Sequence, residues 1–406
     1  MRKIMASLDV GSDSVKLVVG EMVKKKLNVL AISESPSYGL KKGLVEKPDY
    51  LLDSIKQVFQ RCEEMLGLQV KQVIVTVPST KAIFSVVGGS IEVKNEGNLI
   101  TGDDVAHVIH ESIKGNVPKD YEFISMMPTA FYLDDDRVIQ DPKGLTSKTL
   151  KVRGVISLTP KTNIYPVLAC LERIGVEVLD ITLGAIGDYY EVKNKDLDSK
   201  VGAIINLGAE TTTVSIFNKG IITNNKVLNY GGLNIDNDIS YMYKLPIEKS
   251  KKIKEQNGLR LSNHPTIEIE NDDQKITIDA KELKSVIESR TDEIIKLALQ
   301  EIKDLTKKEI SYIIFTGGLT ELLDLKDLLD RRYPGSKIMK NEEIGARNNK
   351  FSASLGIIKY HAYNAKMRDK DFSIFTIEEQ QQISGTVSET ETDSAIGKLF
   401  GYIFNN

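Results

Sequence analysis

Apolar and polar positions alternate in two long series of strand and helix patterns, separated by a stretch of different texture. The first series opens with three short apolar runs, Ile4–Val10, Val15–Gly20 and Leu27–Ser33, each bounded by turn residues and each reading as a strand. From Asp49 to Met65, the residues Leu52, Ile55, Phe59, Cys62 and Met65 recur at the spacing of one helix face, and Gly67 follows as a terminator. Val73–Val77 is a continuous β-branched run suited to a strand buried on both faces, closed by Pro78.

From about Phe84 to Leu158 short strand patterns (Ser85–Val93, Phe123–Leu133, Thr149–Leu158) alternate with polar loops and one helix after Thr101. Asp103 and Asp104 fall in that helix's first turn, where negative charge is favourable. This stretch reads as a small inserted subdomain. A helix (Ile164–Ile174) and a strand (Val176–Asp180) then close the first series. The second series contains a polar hairpin-like interruption (Asn263–Thr277), a long helix (Glu282–Leu305), a strand (Tyr312–Phe315) and a small-residue helix (Ala353–Ala362). The compact body is expected to end near Ala365. Beyond it, Arg368–Asp393 is rich in Ser, Thr, Glu and Gln, a composition that favours a disordered linker. At the end, Ile396, Leu399, Phe400, Ile403 and Phe404 line up on one helix face.

The bulk properties narrow the function. At 406 residues the chain needs at least two packed lobes. A net charge of −3 argues against bulk nucleic-acid binding. No apolar run reaches the ~20 residues that span a bilayer, and Asp9 comes too early for a secretory signal. Two isolated cysteines, Cys62 and Cys170, give no disulfide framework and point to a reducing compartment. His107 and His110 share a helix face with no third ligand in view, so a surface helix is the simpler reading than a metal site.

The chemistry lies in a motif that occurs twice. Leu8-Asp9-Val10-Gly11-Ser12-Asp13-Ser14-Val15-Lys16 and Asn206-Leu207-Gly208-Ala209-Glu210-Thr211-Thr212-Thr213 each follow an apolar run and precede another. Each reads as a strand, a tight turn and a returning strand. A glycine in such a turn permits close backbone approach to a ligand, and free N–H groups with hydroxyls form an anion-binding concavity. Two copies imply two related lobes gripping one phosphate chain from opposite sides.

With Tyr230-Gly231-Gly232-Leu233-Asn234-Ile235-Asp236, Thr316-Gly317-Gly318 and Ala353-Ser354-Leu355-Gly356, these motifs fall in the order found in the actin/Hsp70 ATPase superfamily. The chain as a whole resembles the FtsA family, bacterial actin homologues of cell division. Gly39-Leu40-Lys41-Lys42-Gly43, the insertion and the amphipathic tail carry the closer match. The resemblance implies an α/β, actin-like two-lobe ATPase fold with a small α+β subdomain inserted in the first lobe. The boundaries follow: subdomain 1A at 1–83, the insertion 1C at 84–162, and a return to 1A at 163–200. Subdomain 2A spans 201–231 and 2B spans 232–310, with 2A and the return to 1A at 311–365. A linker (366–393) and a membrane-targeting helix (394–406) complete the chain.

The resemblance also implies ATP and Mg²⁺ between the lobes. Asp9 would lie near the metal, through water. Gly11, Ser12, Ser14, Lys16, Asn206, Gly208, Thr211 and Thr212 would face the phosphates. Gly231, Gly232, Asn234, Gly317, Gly318 and Leu319 would approach the ribose and base, with Lys254 entering from the smaller subdomain. Arg290, on the long helix, would meet the C-terminal peptide of FtsZ. Ile396, Leu399, Phe400, Ile403 and Phe404 would enter the lipid surface, weakly as one tail and firmly as many tails on a filament. The implied setting is the cytoplasmic membrane face at the division site, with FtsZ, further copies of the chain and other division proteins as partners.

The second turn departs from the family's pattern, which usually reads Asp-x-Gly-Gly-Gly-x-Thr. Asn206 cannot carry negative charge or act as a base, Ala209 crowds the turn, and Glu210 sets a carboxylate beside an anion site. Glu210 must therefore point away, pair with a cation, or weaken binding. Leu179–Ala185 lacks the water-activating glutamate of many filament-forming relatives. The expectation is ATP binding with slow or no turnover, at most a weak ATPase. A pilus-assembly relative and a small-molecule kinase of the same fold are the alternatives.

Overall fold

The computed structural model describes residues 3–24, 26–260, 265–271, 274–367 and 372–383. The amphipathic tail, with Ile396, Leu399, Phe400, Ile403 and Phe404, lies outside the described residues.

Each lobe is built on a five-stranded sheet, and the two sheets share one topology. In the first, Lys3–Val10, Ser14–Val23 and Lys26–Pro36 run antiparallel in succession; Gln72–Val77 and Glu177–Leu183 extend the other side of Lys3–Val10 in parallel. In the second, Val201–Leu207, Thr212–Asn218 and Ile221–Leu228 repeat the antiparallel run, and Tyr312–Thr316 and Ser336–Ile338 repeat the parallel pair. The duplication legible in the turns is thus a duplication of whole sheets. Parallel neighbours need crossover connections, and helices supply them. Ile4, Met5, Ala6 and Leu8 are fully buried, so the central strand is covered on both faces.

The helix Pro48–Leu66 starts on a proline at its first position and is closed by Gly67, whose N–H returns to the Glu63 carbonyl. Leu52, Ile55, Phe59 and Cys62 are buried as the periodicity requires; Met65 is exposed and Leu66 takes the last buried position instead. The inserted unit is a sheet in the order Ile83–Glu92, Thr149–Pro160, Tyr121–Tyr132, Val138–Ile139. The helix Gly102–Ile113 lies on it, started by a capping box in which Thr101 and Asp104 exchange hydrogen bonds. Ile91, Ile100, Val105, Val108, Phe131 and Leu150 form its separate core.

Two helices meet at the junction of the lobes. Gly184–Val192 leads from the last strand of the first sheet to the first strand of the second, and Ser352–Met367 crosses it. A Cβ on Gly356 would collide with the Gly187 carbonyl, so the crossing depends on two bare backbones. The sequence pattern did not reveal Gly184–Val192. Ala185, Ile186, Gly187, Asp188 and Tyr189 are consecutive and all buried, which leaves no one-sided periodicity to read.

The chain also stays packed longer than its composition predicts. Ile374, Phe375 and Ile383 are buried, and the Ile374 N–H donates to the Ile4 carbonyl at 2.9 Å. Residues 372–383 therefore belong to the body, and the expected linker does not begin at 366. A few apolar anchors suffice to hold a segment whose average composition is polar. Among the described residues no helix is long and apolar enough to cross a membrane.

Candidate functional site

A cleft of about 750 Å³ opens between the lobes. It is lined by Asp9, Gly11, Ser12, Ser14 and Lys16 from the first lobe, and by Asn206, Gly208, Thr211, Gly232, Lys254, Gly317, Gly318 and Leu319 from the second. Residues some three hundred positions apart are thus brought together as the motif order implied. Thr212, Gly231 and Asn234 do not line the cleft. The Thr212 hydroxyl is buried and donates to the Tyr230 carbonyl at 2.8 Å. Asn234 accepts from the Gly231 N–H at 2.9 Å, fixing the start of the helix Gly232–Tyr243. These three hold the second turn in place from behind.

The two turns have the same backbone. The Gly11 N–H donates to Ser14 O at 3.2 Å, and the Gly208 N–H donates to Thr211 O at 2.9 Å. The N–H groups of Gly232 and Leu233 bond the carbonyls of Gly208 and Ala209, so the following helix is seated on the second turn. Gly317, at φ +90°, passes beside that turn; a Cβ there would collide with the Asn206 side chain and lie 2.9 Å from the Leu207 carbonyl carbon.

Their charges differ. Asp9 accepts from Lys16 Nζ at 3.1 Å and from the Thr76 hydroxyl at 2.7 Å, an ion pair with little exposure. Asn206 instead donates to a carboxylate of another element, Asp188 Oδ2, at 2.8 Å. Asp188 lines the cleft, is almost fully buried, and its Oδ1 has no hydrogen-bond partner. Burial raises its pKa, the hydrogen bond from Asn206 opposes the rise, and the negative charge of Asp9 adds to it; the result is about 7. Sequence reasoning missed Asp188. The acid absent from position 206 is present on the junction helix, and a polar residue inside an otherwise apolar run was the signal.

Glu210 and Asp13 occupy equivalent positions in the two turns, and each reaches across to the opposite lobe. Glu210 accepts from the Lys42 N–H in the hairpin after Gly39, where the adjacent Gly43 N–H donates to Ser12 Oγ at 2.9 Å. Asp13 pairs with Lys251 on the helix Ile247–Asn257. Lys254, on the same helix, is no solvated charge: it is buried, paired with Asp236 at 2.8 Å, and donates to the Gly232 carbonyl at 3.2 Å.

Arg290 lies away from the cleft on the helix Ala280–Leu305. Its guanidinium bonds both Asp238 oxygens, at 2.6 and 3.0 Å, and Glu293 at 2.6 Å. Among the described residues no group of three or more His, Cys, Asp and Glu side chains is arranged to hold a metal. Cys62 and Cys170 are free and buried, and burial pushes the Cys62 thiol up to about 12.

Residues 203–356 match the family model "Cell division protein FtsA", and residues 83–157 match the "SHS2 domain inserted in FTSA", together more than half of the chain. The chain is 27% identical to the cell division protein FtsA of Bacillus subtilis over 388 residues, covering 94% of this chain and 88% of that one. It is 26% identical to FtsA of Streptococcus pneumoniae over 366 residues, covering 87% and 79%. Among solved structures, a PilM–PilN type IV pilus biogenesis complex matches with TM-score 0.60 at 14% identity, covering 87% of this chain and 97% of that one. MreB5 of Spiroplasma citri bound to ADP matches with TM-score 0.55 at 13% identity, covering 90% and 98%. At such identities these structures establish the fold alone. An actin-like two-lobe architecture, the inserted SHS2 domain and full-length relatedness to curated FtsA proteins converge: the chain belongs to the FtsA family of cell division proteins.

Proposed function

We propose that this protein binds ATP with Mg²⁺ in the interlobe cleft and uses the nucleotide mainly to set its shape for assembly. The observation that carries this reading is the pair of turns, closed by equivalent hydrogen bonds, that face one cleft from opposite lobes. Gly11, Ser12, Ser14 and Lys16 would take one side of the phosphates, and Gly208 and Thr211 the other. Gly232, Lys254, Gly317, Gly318 and Leu319 would flank the nucleoside. Asp9, Asp188 and Asn206 suit Mg²⁺: one carboxylate oxygen of Asp188 is buried without a partner, and Mg²⁺ is commonly held by one or two carboxylates with water and phosphate oxygens. Bound there, the ion would neutralise phosphate charge.

Turnover is slow in this reading. Asn206 is no base; it holds one oxygen of Asp188, and Mg²⁺ would take the other, so neither oxygen would be left to activate a water. Titration with a fluorescent ATP analogue and Mg²⁺ tests binding, and absence of binding overturns the reading. Phosphate release at ~1–100 per second, the range of kinases, would contradict the conformational role.

The same reading places the protein at the cytoplasmic membrane face of the division site, as a filament that tethers FtsZ. Ile396, Leu399, Phe400, Ile403 and Phe404 would enter the lipid. The helix Ala280–Leu305, with Arg290, would receive the acidic C-terminal peptide of FtsZ. Deleting Ala395–Asn406 is expected to abolish liposome pelleting while nucleotide binding persists; pelleting that survives rejects the anchor.

A further inference from the structure

The acids at equivalent positions of the two turns do something that neither turn needs for phosphate binding. Asp13, on the first lobe, reaches Lys251 of the second. Glu210, on the second lobe, reaches the Lys42 N–H of the first. The two contacts cross the mouth of the cleft in opposite senses. Asp13 is about half exposed, and the Lys42–Glu210 bond is exposed. Neither acid is therefore demanded by the core, and a carboxylate beside an anion site needs a reason to be there.

The backbone supports both contacts. Lys42 has φ +51° and Gly43 has φ +77°, consecutive left-handed residues at a hairpin tip. Successive N–H groups in such tips make anion-binding concavities. Here the Lys42 N–H serves Glu210 of the far lobe and the next, from Gly43, serves Ser12 of the near lobe. The hairpin is thereby tied to both turns at once. On the other side, burial alone would lower the Lys251 ammonium, but the hydrogen bond and charge of Asp13 outweigh it and the net shift is upward.

We propose that Asp13–Lys251 and Glu210–Lys42 are reciprocal latches that hold the lobes together across the cleft mouth and gate the entry and release of nucleotide. The acid whose charge looked hostile to phosphate is then not a binding group. It closes the mouth, and its carboxylate accepts a hydrogen bond from the Lys42 N–H of the opposite lobe. The gating half rests on the proposed nucleotide site; the latching half does not.

Two arms separate them. In the nucleotide-free protein, amide hydrogen exchange of fragments spanning 38–47 is compared among wild type, Glu210→Gln, Glu210→Ala and Lys251→Ala. Lys251 makes its latch with Asp13 and not with this hairpin, so a merely local role predicts no change in Lys251→Ala. Coupled latches predict exchange about two- to fivefold faster there, with Glu210→Gln staying closer to wild type than Glu210→Ala because its amide oxygen still accepts. Unchanged exchange in Lys251→Ala overturns the coupled latch, whatever the cleft binds.

In the second arm, dissociation of a fluorescent ATP analogue is followed by stopped flow. The Asp13→Asn/Glu210→Ala double variant is expected to release it about three- to tenfold faster. If the acids act only by repelling phosphate, their removal slows release instead, and that result overturns the gate. Failure of the wild type to bind any nucleotide overturns the gate together with the nucleotide site, while the exchange arm still decides the latch.

Discussion

The two turns share a backbone and divide the chemistry. In the first, the acid sits at the strand end itself, as Asp9, held by Lys16 and by the Thr76 hydroxyl. In the second, the strand end carries Asn206, and the acid has moved to Asp188 on the junction helix. The strands beside the two turns keep the same register but use their threonines differently. Thr76 supports Asp9 from the neighbouring parallel strand, whereas the corresponding Thr316 turns to Ser352 at 2.9 Å and leaves Gly317 against Asn206. Duplication conserves what backbone geometry requires, and charge is free to relocate as long as some neighbour supplies it. A second turn that looks blunted in sequence has delegated its carboxylate to the helix that joins the lobes. Rotation of that helix would move the acid relative to the turn, a coupling the first turn lacks.

The largest expected effect comes from closing the space that the second turn depends on. Gly317→Ala forces a left-handed φ onto a residue with a Cβ and drives that Cβ into Asn206 and Leu207. The cost should be about 3 kcal/mol or more, from strain plus overpacking. A denaturant midpoint that falls accordingly supports the close fit; one within error of wild type breaks it.

Next is the titration of Asp188. Its folded pKa of about 7 lies above the ordinary 3.8, so between those values the native state holds a proton that the unfolded chain has released. Stability contributed by this group is therefore highest at low pH and is lost as pH rises from about 4 to 7. The loss is on the order of a few kcal/mol at most. Asp188→Asn removes it. Unfolding free energies at pH 5 and pH 8 should differ less in the variant than in wild type, and parallel behaviour of the two proteins contradicts the buried-acid account. The variant should also weaken any Mg²⁺ dependence of nucleotide binding.

How much of this was legible depended on whether a signal was local. Strands with β-branched runs and the one-sided helix Pro48–Leu66 were readable to within a few residues, because burial on one face writes a period into the sequence. So was the pairing of the turns, since Gly11 and Gly208 stand at the same offset from their strands. The helix Gly184–Val192 was not, because it is buried all round. Asp188 was hidden with it: its meaning comes from Asn206, eighteen residues later and on another element. Glu210 was recognised as anomalous, but the Lys42 N–H that resolves the anomaly is a backbone group, which carries no residue signature.

A smaller difference sharpens the comparison of the turns themselves. A Cβ on Gly208 would lie 2.8 Å from Thr211 O, and one on Gly11 would lie 3.1 Å from Ser14 O. The first distance forces the backbone to shift; the second asks only a few tenths of an ångström. Gly208→Ala should therefore cost about 1 kcal/mol more than Gly11→Ala, at the low end of overpacking penalties. Thermal or denaturant unfolding of the two variants side by side decides it, and equal costs show that the turns are closer in shape than their hydrogen bonds indicate.

The smallest effect is expected outside the cleft, at Arg290, and it asks whether an internal acid can hold a ligand's place there as Glu210 holds the Lys42 donor. Arg290 is partly exposed and already bonded to Asp238 and Glu293. Its hydrogen bond to Asp238 outweighs partial burial and raises its pKa further, so it is charged at every accessible pH. Truncation to Ala should cost less than about 1 kcal/mol of stability, as for other exposed pairs. If an acidic peptide docks on this helix through Arg290, it must displace Asp238. Asp238→Asn should then tighten peptide binding by a few-fold while Arg290→Ala weakens it, both measured by fluorescence anisotropy with the FtsZ C-terminal peptide. The two substitutions moving affinity in the same direction would mean that the ion pair shapes the surface and that its arginine does not meet the peptide.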